Sequence, residues 1–251
     1  MPLFDEPITP AAGNSLTAAD RTVLIETLLT SKAEWTAWNP TTGCTKVSEA
    51  CENCYADATT QFLQARGVHA YRHGFLPAFH PERLNLPQTF RSPRRIFVDA
   101  MSDLFHDAFT DQQIHDIFNV MTATPQHQYF VLTKRPERML DILGCSPPIP
   151  NVVLGVTVEQ EAYLWRAELL TGLHASFITF VNCEPLLGNI GAMPASGIDI
   201  CFAAPENGPR RRPTKPEWFA TLQQTCNNYG ILYIGHRFDI RADAGKRPIY
   251  P

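Results

Sequence analysis

The chain has 251 residues, of which 44% are hydrophobic and 18% are charged, and its formal net charge is −4 at pH 7. This balance is typical of an ordinary globular protein that is long enough to bury a large core. It argues against a protein that coats nucleic acid through non-specific phosphate contacts, because such proteins are usually basic.

The first segment, residues 1–33, is interpreted as an N-terminal extension with one short helix. Thr17 and Asp20 form a weak capping box, and leucines follow it at helical spacing. Residues 34–251 are predicted to form a single domain, because no linker or low-complexity tract divides them. The chain begins without the basic and apolar stretches of a secretory signal, and its apolar runs are too short to span a membrane, so we expect a cytoplasmic protein with no membrane partner.

An opening strand near residues 35–38 is followed by three cysteines with the spacing C-x6-C-x2-C, namely Cys44, Cys51 and Cys54. Clustered cysteines in a reducing compartment are typical of metal or cluster ligands rather than of a disulfide framework. A [4Fe–4S] cluster held by three thiolates keeps one iron open. A structural zinc site needs four ligands, and His69 or His73 would supply the fourth, so zinc stays open as an alternative. A helix is predicted directly after the cysteines, over residues 55–66.

Six further apolar runs follow the cysteines. They cover residues 95–101, 128–133, 151–157, 176–181, 198–203 and 231–235, with helical patterns at 110–121, 160–171 and 216–229. Continuous apolar runs bounded by turn residues are typical of strands buried on both faces, and their alternation with helices predicts βα units. The predicted fold class is α/β, a partial (open) parallel β/α barrel of about six to seven units, fewer than the eight of a full barrel.

Polar side chains follow each of these runs, where barrel folds place their chemistry. They are Ser102, Asp103, Lys134, Arg135, Glu159, Asn182, Glu184, Glu206, Asn207, His236 and Arg237. We interpret them as the rim of a polar pocket, although loops are polar in most folds. Lys134 and Arg135 suit a carboxylate or phosphate partner. The basic run at 210–212 is either a solvated loop or a contact for a nucleic-acid backbone.

Several motifs accompany the cysteines in a fixed order. They are EWTAWNP at 34–40, VDAMSDLF at 98–105, VLTKRPERM at 131–139, LGVTVE at 154–159 and CEPLLG at 183–188. Together they resemble a phage-associated family with a radical-SAM-like barrel, over roughly residues 33–237. The chain departs from most radical-SAM enzymes in its longer first cysteine spacing, since those enzymes use C-x3-C-x2-C. It also carries AAPENG at 203–208, where the related family often has GGESG.

The resemblance implies a radical S-adenosylmethionine (SAM) enzyme that uses a [4Fe–4S] cluster to generate a 5′-deoxyadenosyl radical. The cluster ligands would be Cys44, Cys51 and Cys54. The cofactor-binding residues would be Tyr55, Ser102, Asp103, Glu159, Glu206 and Asn207, and the catalytic residues Glu184, Lys134 and Arg135.

The resemblance also implies an external electron donor and a nucleobase or nucleotide substrate, with phage DNA as the leading hypothesis. The location would then be the host cytoplasm. Two alternatives stay open. One is a radical-SAM enzyme acting on a small metabolite or peptide, and the other is a non-enzymatic binding protein stabilised by zinc or a cluster.

Overall fold

Seven parallel strands form the main sheet of the computed structural model, which describes residues 15–207 and 210–235. The strands are β1 (Glu34–Trp38), β2 (Thr41–Thr42), β3 (Ala78–Phe79), β4 (Arg94–Val98), β5 (Gln128–Thr133), β6 (Val152–Thr157), β7 (Ile178–Cys183), β8 (Ile200–Ala203) and β9 (Leu232–Gly235), of which β2 and β3 form a separate antiparallel pair. The main sheet has the order β1-β4-β5-β6-β7-β8-β9 and curls into an open half-barrel. The order never reverses, as expected for a barrel and not for a doubly wound sheet. The predicted partial barrel is therefore confirmed.

Six α-helices lie in the described part of the chain. They are α1 (Ala18–Thr30), α2 (Tyr55–Ala65), α3 (Asp111–Ala123), α4 (Pro136–Leu143), α5 (Trp165–Leu170) and α6 (Pro216–Tyr229). Thr110 caps α3 in a reciprocal capping box with Gln113. The continuous helix predicted over 160–171 is broken into a 3-10 turn, α5 and a second 3-10 turn. No helix in these ranges is long and apolar enough to cross a membrane.

Alternate residues of each strand pack into two different apolar layers, because successive side chains point to opposite faces of a sheet. On the outer face, residues such as Val131 and Leu154 pack with α3, α4, α5 and α6. On the inner face, Phe130, Val153 and Phe180 form a second cluster. Strand β6 is buried at every position, which explains its unbroken apolar sequence.

Helix α1 packs against the inner face and not with the other helices. Its capping box between Thr17 and Asp20 is present as predicted, and its buried leucines join the inner cluster. Arg21 donates to the carbonyl of Phe177 at 3.1 Å and forms a buried ion pair with Asp199 at 2.8 Å. These contacts place α1 at the amino-terminal end of β7, which leaves the carboxyl ends of the strands for the loops. The division of the chain at residue 34 stays a prediction.

Candidate functional site

The cysteine loop, residues 43–54, begins beside the carboxyl end of β4. The Gly43 N–H donates to the carbonyl of Met101 at 2.8 Å, and the Ser102 hydroxyl donates to the Gly43 carbonyl at 2.8 Å. Gly43 has a positive φ of 83°, and a Cβ there would collide with the backbone of Leu76. A glycine is therefore required at the point where the chain turns into the loop.

The buried carboxyl group of Asp99 binds the backbone at Thr41, which lies just before the Gly43 turn. Asp99 follows β4 with a φ of 54°, and its Oδ1 accepts the Thr41 N–H at 2.9 Å. Burial raises the pKa of Asp99 to about 8, and its hydrogen bonds with Thr41 oppose that rise. The left-handed backbone ends the strand at Val98, so the strand predicted over 95–101 is too long by three residues.

One end of the cysteine loop is held by the guanidinium of Arg135. Its Nη1 lies 3.5 Å from Cys44 Sγ and 2.9 Å from Asp103 Oδ2. Its Nη2 donates to the carbonyl of Thr45 at 3.2 Å and to the Thr45 hydroxyl at 2.9 Å. The planar fork of arginine can reach an acid, a sulfur and a hydroxyl at once, which a lysine cannot do. Arg135 therefore connects the loop to the end of β5.

Asp103 fixes the orientation of that guanidinium. Its buried carboxylate also accepts the Thr133 hydroxyl at 2.6 Å and the backbone N–H groups of Phe105 at 3.1 Å and Lys134 at 3.2 Å. These bonds join the ends of β4 and β5. A buried carboxylate with this many donors stays in one place and sets the position of its ion-pair partner.

His106 also contacts this end of the loop, through the hydroxyl of Thr45. Its Nδ1 accepts the Ala108 N–H at 3.0 Å, so the ring proton of the neutral imidazole lies on Nε2, which is 2.9 Å from the Thr45 hydroxyl. Burial lowers the pKa of His106. Burial also raises the pKa of the Cys44 thiol to about 11; Asp103 adds to this rise and Arg135 opposes it. Cys44 thus lies in a partly desolvated, hydrogen-bonded position.

The other end of the loop is held by a second arginine, Arg212. Its guanidinium pairs with Glu206, at 2.9 Å from Nε and 2.5 Å from Nη2, and also donates to the carbonyl of Glu49 at 3.0 Å. Asn53 donates to the same Glu206 carboxylate at 3.1 Å. The hydrogen bond from Arg212 keeps the pKa of Glu206 below its usual value. Because Glu206 follows β8, the cysteine loop crosses the carboxyl end of the half-barrel from β4 to β8.

The three cysteines are free thiols and partly buried. Cys51 Sγ is 3.9 Å from the Ser48 hydroxyl, and Cys54 precedes α2, whose first residue, Tyr55, donates a hydrogen bond to the carbonyl of Ala100. Three thiols on one loop at the open end of a barrel are the donors that an iron–sulfur cluster takes. The set fits a cluster in its chemistry. Within residues 15–207 and 210–235, no three His, Cys, Asp or Glu side chains converge as the ligands of a metal ion.

Other residues predicted for the site lie along the same end of the sheet but outside this network. Glu159 is fully buried and pairs with Arg166 at 2.9 Å. Asn207 donates to Glu184 at 2.9 Å. Lys134 is half-buried directly after β5. His236 and Arg237 lie outside the described residues.

Some residues of the network were not predicted from the sequence. Thr45, Asn53 and His106 carry no pattern that marks them. Arg212 belongs to the basic run at 210–212, but the structure separates the members of that run. Arg212 turns toward Glu206, whereas Arg210 and Arg211 are exposed. A charged run on a loop therefore divides into one structural and two solvent-facing side chains.

A family model described as a protein of unknown function, DUF5131, matches residues 30–239. The chain belongs to the DUF5131 family. The DUF5131 match covers all seven strands of the main sheet, the whole cysteine loop and the segment that carries Glu206 and Arg212. No curated protein and no solved structure matches the chain. The family match therefore includes the whole candidate site, and the description of the family gives no activity.

Proposed function

We propose that this chain is a radical SAM enzyme that holds a [4Fe–4S] cluster on Cys44, Cys51 and Cys54. The observation that carries the proposal is the place of the cysteine loop, which crosses the carboxyl end of an open parallel half-barrel. This is the end at which β/α barrels hold their active sites. When bound, the cluster and SAM would supply a 5′-deoxyadenosyl radical that abstracts a hydrogen atom from the substrate.

The aromatic side chains of the inner face belong to the apolar layer on which α1 packs. Trp35 and Phe130 have ring centroids 4.8 Å apart, Phe130 and Phe180 6.3 Å, and Phe180 and Phe202 5.5 Å. Trp35 and Phe202 are half-buried. Phe130 and Phe180 are buried in this layer, and the Arg95 guanidinium lies over the ring of Trp35, so the aromatic cluster is part of the core. The proposed substrate, a nucleobase or nucleotide with phage DNA as the first form to test, therefore rests on the family resemblance and on the cations near the carboxyl end of the sheet.

Cations near the carboxyl end suit the phosphates of such a substrate. Lys134 directly follows β5, and Arg210 and Arg211 are exposed on the segment that follows β8. Arginine and lysine side chains near a pocket orient a nucleic-acid backbone without reading its sequence. Catalytic roles for Glu184 and Lys134, an external electron donor and a cytoplasmic location belong to the same proposal. The guanidinium of Arg135, also predicted to be catalytic, is instead engaged with Cys44, Asp103 and Thr45.

Iron loading tests the first half of the proposal. The protein is purified without oxygen and reconstituted with iron and sulfide, and its absorbance and iron content are measured. We expect about four irons per chain, lost in Cys44→Ala, Cys51→Ala and Cys54→Ala. Cys145→Ala is the matched control, because Cys145 is exposed and lies outside the loop. Colourless protein with one zinc per chain, or iron uptake indifferent to the three substitutions, would contradict the proposal and favour a zinc-stabilised binding protein.

Product analysis tests the second half. Reconstituted protein is incubated with SAM and dithionite, and 5′-deoxyadenosine is quantified by mass spectrometry. We expect its formation to increase when phage DNA or a nucleotide is added, together with a mass change in a base. If 5′-deoxyadenosine forms but only a small metabolite or peptide is altered, the radical chemistry stands and the nucleic-acid substrate is wrong.

A further inference from the structure

We propose that Arg135 is a positioning residue that raises the reduction potential of a cluster bound at Cys44. This inference rests on the proposed function. Its observation is the contact of Arg135 Nη1 with Cys44 Sγ, at 3.5 Å. In iron–sulfur proteins, hydrogen bonds to the sulfurs, net charge and solvent exposure set the reduction potential. Arg135 supplies the first two of these to one ligand.

The guanidinium is held so that it cannot leave the sulfur without breaking other bonds. Asp103 binds the same nitrogen at 2.9 Å, and Thr45 accepts from the second nitrogen at 2.9 Å. The Arg135 and Asp103 side chains are only 12% and 9% exposed. Water therefore screens their charges less than it screens those of a surface pair.

The cysteines of the loop differ in the group that lies next to their sulfur atoms. Cys51 faces the neutral hydroxyl of Ser48 at 3.9 Å. In the ranges that the structure describes, Cys44 is the cysteine of the loop whose sulfur faces a guanidinium. A hydrogen bond to one of the three sulfurs is the arrangement expected if the protein sets the reduction potential of the cluster through that one thiolate.

The direction of the effect follows from charge. Reduction adds an electron, so a positive group and a donated hydrogen bond stabilise the reduced form more than the oxidised form. The negative charge of Asp103 offsets part of the positive charge of Arg135. The directional N–H···S hydrogen bond therefore carries the larger share, and removing it lowers the potential.

The test is a spectroscopic redox titration of the reconstituted protein and three variants. For Arg135→Ala we expect one-electron reduction to become about tenfold less favourable, a decrease of about 59 mV. For Arg135→Lys we expect a smaller decrease, because the charge stays but the fork does not. Lys46→Ala is the charge-matched control. Lys46 lies on the same loop but is exposed, so its loss should change the potential much less.

The outcomes separate this inference from the proposed function. If wild-type protein takes up no iron, the proposed function fails and this inference fails with it. If all variants hold the cluster at the wild-type potential, or if Lys46→Ala shifts the potential as much as Arg135→Ala, the radical SAM proposal stands and the role of Arg135 is wrong. Circular dichroism checks folding. If Arg135→Ala does not fold, a potential of Arg135→Lys equal to wild type overturns the inference and a lower one supports it.

Discussion

The buried carboxyl of Asp99 should make the free energy of unfolding fall as pH rises. Replacing Asp99 with asparagine should remove this pH dependence. Asp99 is 4% exposed, and burial raises its pKa from 3.8 to about 8. Below pH ~4 the folded and unfolded states are both protonated. Between pH 3.8 and about 8, the carboxyl of Asp99 keeps its proton in the folded chain but has lost it in the unfolded chain. The stabilisation is therefore full below the unfolded pKa and is lost as pH rises toward 8, with no further loss above it.

The size of the effect follows from the same two values. One unit of pKa difference is worth about 1.4 kcal/mol, so the full difference sets an upper bound of about 6 kcal/mol. Between pH 5 and pH 8.5 the wild-type chain should lose up to about 4 kcal/mol of this. In Asp99→Asn the amide oxygen still accepts the Thr41 N–H, the side chain stays neutral, and asparagine tolerates the left-handed backbone.

Urea denaturation followed by tryptophan fluorescence at pH 5 and pH 8.5 measures this effect, with metal content matched between samples. We expect Asp99→Asn to be more stable than wild type, and the difference in free energy of unfolding to widen by up to about 4 kcal/mol at the higher pH. Asp141→Asn is the control. Because Asp141 is exposed, its substitution should change the free energy of unfolding by the same amount at pH 5 and at pH 8.5. A constant difference between Asp99→Asn and wild type across this range would refute the reasoning.

Three further substitutions test the packing that supports the site. Glu159→Ala leaves the Arg166 charge buried and should cost about 3–5 kcal/mol in urea, most of it recovered by Glu159→Leu with Arg166→Met; a loss below about 1 kcal/mol contradicts this. Gly155→Ala pushes a methyl group into the ring of Phe180 and should cost about 1–3 kcal/mol by thermal unfolding, less in a Phe180→Leu background; equal losses in both backgrounds would be the wrong result. Arg21→Ala should cost about 3–5 kcal/mol in urea and speed protease cleavage near α1, whereas unchanged cleavage would mean that the ion pair does not hold the helix.

The fold could be predicted from the sequence because its elements are defined locally. The central strands of the main sheet are short apolar runs, because they are buried on both faces and so lack the alternation of a half-exposed strand. Helix starts were also visible, as at Thr17 and Pro216. The error at the end of β4 has a physical cause, because Asp99 takes a left-handed conformation that composition does not reveal. The short pair β2 and β3 carries no apolar run and was not predicted.

Only part of the network around the cysteine loop could be predicted from the sequence, and none of its contacts could. The rule that barrels hold polar side chains at the carboxyl ends of their strands selected Asp103 and Arg135. It could not show that Arg135 reaches Cys44, which lies 91 positions earlier in the chain. Partners such as Thr45 and His106 become visible only when the loop is folded, because their roles depend on distance and not on spacing.

The cysteine loop is braced at both of its ends by the same device, an arginine paired with a buried acid. Arg135 with Asp103 holds the start of the loop at Cys44, and Arg212 with Glu206 holds the part that precedes Cys54. Ordering a free loop of this length would cost conformational entropy at the moment of ligand binding. Here the protein meets that cost during folding, and each pair keeps its own charges balanced. The loop is therefore held across the carboxyl end of the sheet by the chain's own side chains, so a ligand bound by its thiols would have less backbone to order than on a free loop.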